Sequence, residues 1–161
     1  MSTGDHRKSS ATRQGADGNV EKYISYSEAW ARINEALEEG FYLEAVTIEE
    51  SIISDRLISY LVGVGAIERE NEVRNYPSFY RLIERWREAA PQPVSPEGSS
   101  DLTDEVDKWR KQRNYLIHSM VASHPGTPTD RVEDFLEVGK EAAERGAELA
   151  RAVSKWQDQS R

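Results

Sequence analysis

RNA can be cut without a metal by one side chain that moves protons near neutral pH and one that holds a charged phosphorane. This chain places both types close together in Arg113-Asn114-Tyr115-Leu116-Ile117-His118. Histidine is the proton mover, because its ordinary pKa lies close to physiological pH. Arginine stays charged at all working pH values and donates two parallel hydrogen bonds to phosphate oxygens. RNA itself supplies the nucleophile, its 2'-hydroxyl, so the protein needs no activated side chain and no cofactor. Asn114 stands one helical turn before His118, where its amide can orient the imidazole or meet a phosphate oxygen.

The position of Arg113 is as telling as its type. At about 100° per residue, Val106, Trp109, Leu116, Ile117 and Met120 fall within about a third of a turn, the stripe of a core-facing helix. Arg113 projects into the middle of that stripe, and His118 lies about 140° further round. A charge on an apolar face needs a partner or a ligand.

These residues must be positioned by helices. Ser25 and Glu28 have capping-box spacing, and Ala29, Trp30, Ile33 and Leu37 follow at helical intervals up to Gly40. A second helix over 41–62 carries Ala45, Ile48, Ile52, Ile53, Leu57, Tyr60 and Leu61 on a wide apolar arc, which predicts a central position. Glu49 and Arg56, seven apart, project into that arc and are expected to pair with each other or with groups on the motif helix, in a supporting role. A charged connection leads to a third helix over 78–90, with Phe79, Leu82, Ile83 and Trp86 as its buried face. Pro91, Pro93, Pro96 and Gly98 mark a loop. The motif helix then spans 102–122, acids first and bases later, as the helix dipole favours. His124-Pro125-Gly126-Thr127-Pro128 breaks it, and a last helix covers 130–157. Strand-like alternation and internal repeats are missing, so the fold class is all-α, a compact bundle of about five helices.

Composition narrows the function. The sequence has 161 residues, enough for one domain with a proper core. Residues 1–22 are poor in apolar side chains and are expected to form a disordered N-terminal tail ahead of a helical domain over 23–161. With no cysteine there is no thiolate metal site, disulfide or cysteine nucleophile. Neither a signal peptide nor a membrane span is visible, and the expected setting is cytoplasmic. His118 and His124 are six apart, an unsuitable ligand spacing, and no His-Glu-x-x-His motif is present, so no metal is expected. The lack of a glycine-rich loop after a strand excludes P-loop and Rossmann sites, and no cofactor is expected. A net charge of -8 argues against a broad electrostatic grip on nucleic acid. Any RNA contact is then local, and Lys108, Arg110 and Lys111 are the candidates to hold substrate.

The wide-faced second helix, the loop and the helix bearing Arg113, Asn114 and His118 together resemble the HEPN superfamily (higher eukaryotes and prokaryotes nucleotide-binding domain), with an arginine, a polar residue and a histidine after four intervening residues. The resemblance covers about 26–156. It implies a metal-independent endoribonuclease acting as a homodimer, with two motifs meeting in a composite cleft and products that end in 2',3'-cyclic phosphate and 5'-hydroxyl. Such proteins act as toxins or phage-defence effectors restrained by an antitoxin or another partner protein. Within the same family a noncatalytic module that dimerises or binds a partner or nucleotide is the alternative, and in it Arg113 would form a structural ion pair with Glu49 or another acid of the second helix.

Overall fold

The computed structural model describes residues 16–95, 100–121 and 130–160. Among them are five α-helices and no strand: α1 (Ala16–Glu39), α2 (Tyr42–Gly63), α3 (Phe79–Ala89), α4 (Leu102–Val121) and α5 (Asp130–Gln159). A short 3₁₀ turn, Val73–Asn75, interrupts the connection from α2 to α3. Helix α1 starts inside the segment set apart by composition as a tail. Its early turns are tied down by Lys22, whose ammonium is 2.9 Å from Asp55, and by the Tyr26 hydroxyl, which donates to the same carboxylate. The rest of the expected tail, residues 1–15, lies outside the described residues, as does the break around His124.

Local chemistry sets the helix ends. Gly40 (φ +80°) and Gly65 (φ +76°) sit in the left-handed region that favours glycine. After each, a backbone N–H reaches back to the helix, Phe41 to the Ala36 carbonyl and Ala66 to the Leu61 carbonyl, both at 2.8 Å. These are Schellman closures of α1 and α2. The Ser78 hydroxyl accepts from the Arg81 N–H at the start of α3, and Asp101 caps α4 by accepting from the Thr103 N–H at 2.9 Å.

Helix α2 is central, touching α1, α3 and α5, while α4 lies against α3 and α5. Its apolar arc is buried through Ala45, Val46, Ile52, Ile53, Leu57 and Leu61. The α2–α5 contact is close because α5 carries glycines seven residues apart. A Cβ on Gly139 would stand 3.3 Å from the Tyr42 Cβ, and one on Gly146 would stand 2.6 Å from Trp109 and collide with the Glu49 carboxyl. Tyr42 and Glu49 are also seven apart, so α2 and α5 run parallel in matched register. Trp109 enters the same seam from α4, its indole N–H donating to the Ala142 carbonyl at 2.8 Å. Trp86 and Trp109 are fully buried, whereas Trp30 and Trp156 are half-buried at the rim of the core.

Glu49 is completely buried, and neither carboxyl oxygen has a hydrogen-bond partner. Burial pushes its pKa up to about 9 against the opposing charge of Arg151. The group is therefore protonated in the folded protein and ionised in the unfolded chain over the range from about 4.5 to 9. The folded state binds the extra proton there, so stability falls as pH rises through this window. Glu49→Gln removes the titration. Its unfolding free energy in urea should exceed that of the wild type increasingly with pH, by up to ~1.4 kcal/mol per pH unit between pH 5 and 9; a pH-independent difference would show that Glu49 titrates normally. Gly146→Ala should lower stability by about 1–3 kcal/mol through overpacking, and combining it with Glu49→Ala should recover part of the loss in the same urea titrations.

Candidate functional site

The apolar stripe of α4 is built as its periodicity predicts. Val106, Trp109 and Leu116 are buried, Ile117 is half-buried, and the Met120 side chain lies outside the described residues. Arg113 follows that stripe toward α2, retaining 19% of its side-chain exposure. One guanidinium nitrogen lies 2.6 Å from Glu50 Oε1, and its Nε is buried with no acceptor. Burial holds the Glu50 pKa above the ordinary carboxylate range, and the charge and hydrogen bonding of Arg113 offset this only in part.

Of the acids of the second helix that could meet Arg113, the partner is Glu50 and not Glu49. Glu49 and Glu50 leave α2 about 100° apart, so Glu49 points into the α2–α5 seam and Glu50 reaches α4. The expected pair between Glu49 and Arg56 does not form either. The Arg56 guanidinium donates to Gln157 Oε1 at 3.0 Å and to Asp158 at 3.4 Å, and lies over the Tyr26 ring at 4.7 Å. The physical reason is the seam. Glu49 is enclosed by Gly146 and Trp109, two turns of α2 away from Arg56.

On the solvent side of α4, Lys111, Asn114, Tyr115 and His118 share one face at helical spacings of three, four and seven. Lys111, Tyr115 and His118 are exposed and Asn114 is half-buried. At 68% exposure Tyr115 is a large aromatic surface beside the histidine. Sequence reasoning assigned Tyr115 no role, although its place three residues before His118 on the helix was visible there. Within one protomer Arg113 and His118 leave the helix about 140° apart. The structure therefore groups Asn114 and His118 and turns Arg113 away from them.

The expected substrate-holding bases also divide. Arg110 is drawn to Asp107 at 2.9 Å and stacks over Tyr80 at 4.8 Å, while Lys111 stands 3.6 Å from the same carboxylate. Burial raises the Asp107 pKa, but the Arg110 hydrogen bond and the charges of Arg110, Lys111 and Arg87 outweigh it and hold the group below its ordinary value. Arg87 bridges to Asp104 at 2.8 Å, so this network ties α3 to α4. Lys108 is exposed and makes no ion pair among the described residues. Of the three, only Lys111 shares the face of His118.

An apolar hollow of about 320 Å³ adjoins the motif at Leu116, lined also by Phe41, Tyr42, Phe135, Leu136 and Gly139. Phe41 and Leu136 are largely exposed on its rim. No group of three or more potential metal ligands is assembled among the described residues, and no helix there is long and apolar enough to cross a membrane.

No protein-family model, no curated protein and no solved structure matches this chain. The HEPN resemblance is carried by Arg113, Asn114, His118 and their helical frame alone.

The Arg113–Glu50 pair makes a separable contribution to stability. Arg113→Ala leaves a half-buried carboxylate without its cation and should lower stability by about 1–3 kcal/mol. A double-mutant cycle with Glu50→Ala, followed by urea denaturation at pH 7, should return a coupling of at least ~0.5 kcal/mol; additive losses would mean that the two groups do not interact in solution.

Proposed function

We propose that this protein is a metal-independent endoribonuclease of HEPN type whose active site is completed by a second copy of the chain. The observation that carries the reading is the pair of faces on α4: a guanidinium on the apolar side, anchored to Glu50, and a solvent-facing stripe of Lys111, Asn114, Tyr115 and His118. Arg113 and His118 diverge within one protomer, so a cleft formed by two α4 helices is the simplest way to bring both kinds of group to one phosphodiester. The exposed Phe41, Tyr115 and Leu136 offer apolar surface near the motif for such a contact.

In this mechanism the imidazole of His118 takes the proton of the RNA 2'-hydroxyl, and the 2'-oxygen attacks the adjacent phosphorus. The bond from phosphorus to the 5'-oxygen breaks, and a proton returns to the departing oxygen. Arg113 neutralises the phosphorane charge through its planar fork. Asn114 orients the imidazole and Lys111 approaches a flanking phosphate. The ends left behind are 2',3'-cyclic phosphate and 5'-hydroxyl. A toxin or phage-defence role follows for such an enzyme, with an antitoxin or an activating partner to restrain it in the cytoplasm.

The noncatalytic reading has one observation in its favour. The 2.6 Å ion pair between Arg113 and Glu50 links α4 to α2 and gives the arginine a structural task. Dimerisation or partner binding by the same bundle would need no more than that.

Induced expression separates the two. The wild type should arrest growth and leave cyclic-phosphate 3' ends on cellular RNA, and His118→Ala should reduce cleavage by about 10²–10⁴-fold. Arg113→Lys keeps the charge but loses the fork, and should cleave at least tenfold more slowly. If wild type, Arg113→Ala and His118→Ala leave identical RNA while remaining folded and equally dimeric, the motif is structural.

A further inference from the structure

At the end of the bundle remote from the motif, α1, α2 and α5 line an open groove of about 570 Å³, bordered by Tyr26, Trp30, Asn34, Arg56, Arg151 and Ser154 among others. That size falls in the range of small-molecule sites, ~300–1,000 Å³. The groove is distinct from the α4 motif. Leu116, two residues before His118, meets Tyr42 in the apolar hollow, and Arg56 stands fourteen residues further along α2, roughly 20 Å away at the helical rise.

Two guanidinium groups lie over aromatic rings here. The Arg151 guanidinium lies 4.6 Å from the Trp30 ring centre and the Arg56 guanidinium 4.7 Å from that of Tyr26. A cation over the face of an aromatic ring is held there by the ring quadrupole, and its N–H groups can still donate to an oxyanion. Arg151 is exposed and makes no ion pair among the described residues. The buried acid on which its charge acts, Glu49, is kept protonated by its surroundings and does not neutralise it. Arg56 is satisfied on one side by Gln157 and Asp158, but its Nε is buried without an acceptor. Lys155 and Asp158 also line the groove, and the nearby Lys22 is paired with Asp55. With Arg56, Arg151 and Lys155 against Asp158, the lining carries an excess of positive charge in a chain whose net charge is -8. The neutral Asn34 and Ser154 side chains add hydrogen-bonding groups suited to a sugar or a base.

We propose that this groove binds the phosphate of a nucleotide-sized ligand, with Arg151 as the principal anchor and Arg56 as a second donor. Trp30 and Tyr26 act as the supports that hold the two guanidinium groups in place, and the volume of the groove is within the range of small-molecule sites. The site is independent of the ribonuclease reading and survives its failure.

Calorimetric titration of the full chain at about 0.1 M salt provides the test, with ADP, inorganic phosphate and a hexauridylate RNA as probes. ADP should bind saturably, and Arg151→Ala should weaken it at least tenfold while leaving the circular dichroism spectrum and melting temperature near those of the wild type. Trp30→Leu, which frees the guanidinium, should weaken ADP several-fold. Arg113→Ala and His118→Ala should bind ADP as the wild type does. Absence of saturable ADP binding at millimolar concentration, or binding indifferent to Arg151→Ala, would overturn the proposal. Phosphate binding as tightly as ADP would overturn the nucleotide-sized ligand. Arg151-dependent preference for the RNA over ADP would reassign the groove to a nucleic-acid backbone.

Discussion

The close approach of α2 and α5 is the constraint from which the other features follow. Two parallel helices can come this near only where one of them lacks side chains, and Gly139 and Gly146 provide those gaps opposite Tyr42 and Glu49. Once the register is set, Trp109 of α4 closes the seam through its hydrogen bond to Ala142, and the later turns of α2 bring Arg56 to Gln157 and Asp158. The motif helix is thereby fixed against α5, and its remaining apolar flank faces α2. That is what presents Arg113 to Glu50 and leaves the opposite side of α4, with His118, in solvent.

Two adjacent glutamates show how finely this geometry divides burial from ion pairing. Glu49 is sealed in the seam, held neutral by burial, and lowers stability as pH rises. Glu50 sits one residue on, retains 26% of its exposure, and receives the guanidinium of Arg113. A chain that needs only stability would do well with an apolar residue at position 49. The ion pair at position 50 is different, because the arginine it holds links α4 to α2.

Charge is distributed in the same selective way. The bases of α4 are split by Asp107, which takes Arg110 and Lys111 into a network with Arg87 and so joins α3 to α4. Cations stacked on aromatic rings recur at Arg110 with Tyr80, Arg56 with Tyr26 and Arg151 with Trp30. Only the last of these guanidinium groups makes no ion pair among the described residues. In an acidic protein, anion recognition depends on such local arrangements and not on net charge.

The all-α class, the helix spans to within a residue or two at every end but the start of α1, where Ser25 lies inside the helix and caps nothing, the core face of α4 and the anomalous position of Arg113 were legible in the sequence, because 3.6-residue periodicity is a local property of the chain. The shared face of Asn114 and His118 was legible for the same reason. Which acid meets Arg113, where Arg56 is bonded, and which bases remain free were settled only by tertiary structure. These depend on the rotation and register of one helix against another, and a rotation of about 100°, the step between neighbouring residues, is enough to exchange Glu49 for Glu50. Periodicity places a residue on a face; the glycines of α5 and the tryptophan of α4 decide what that face touches.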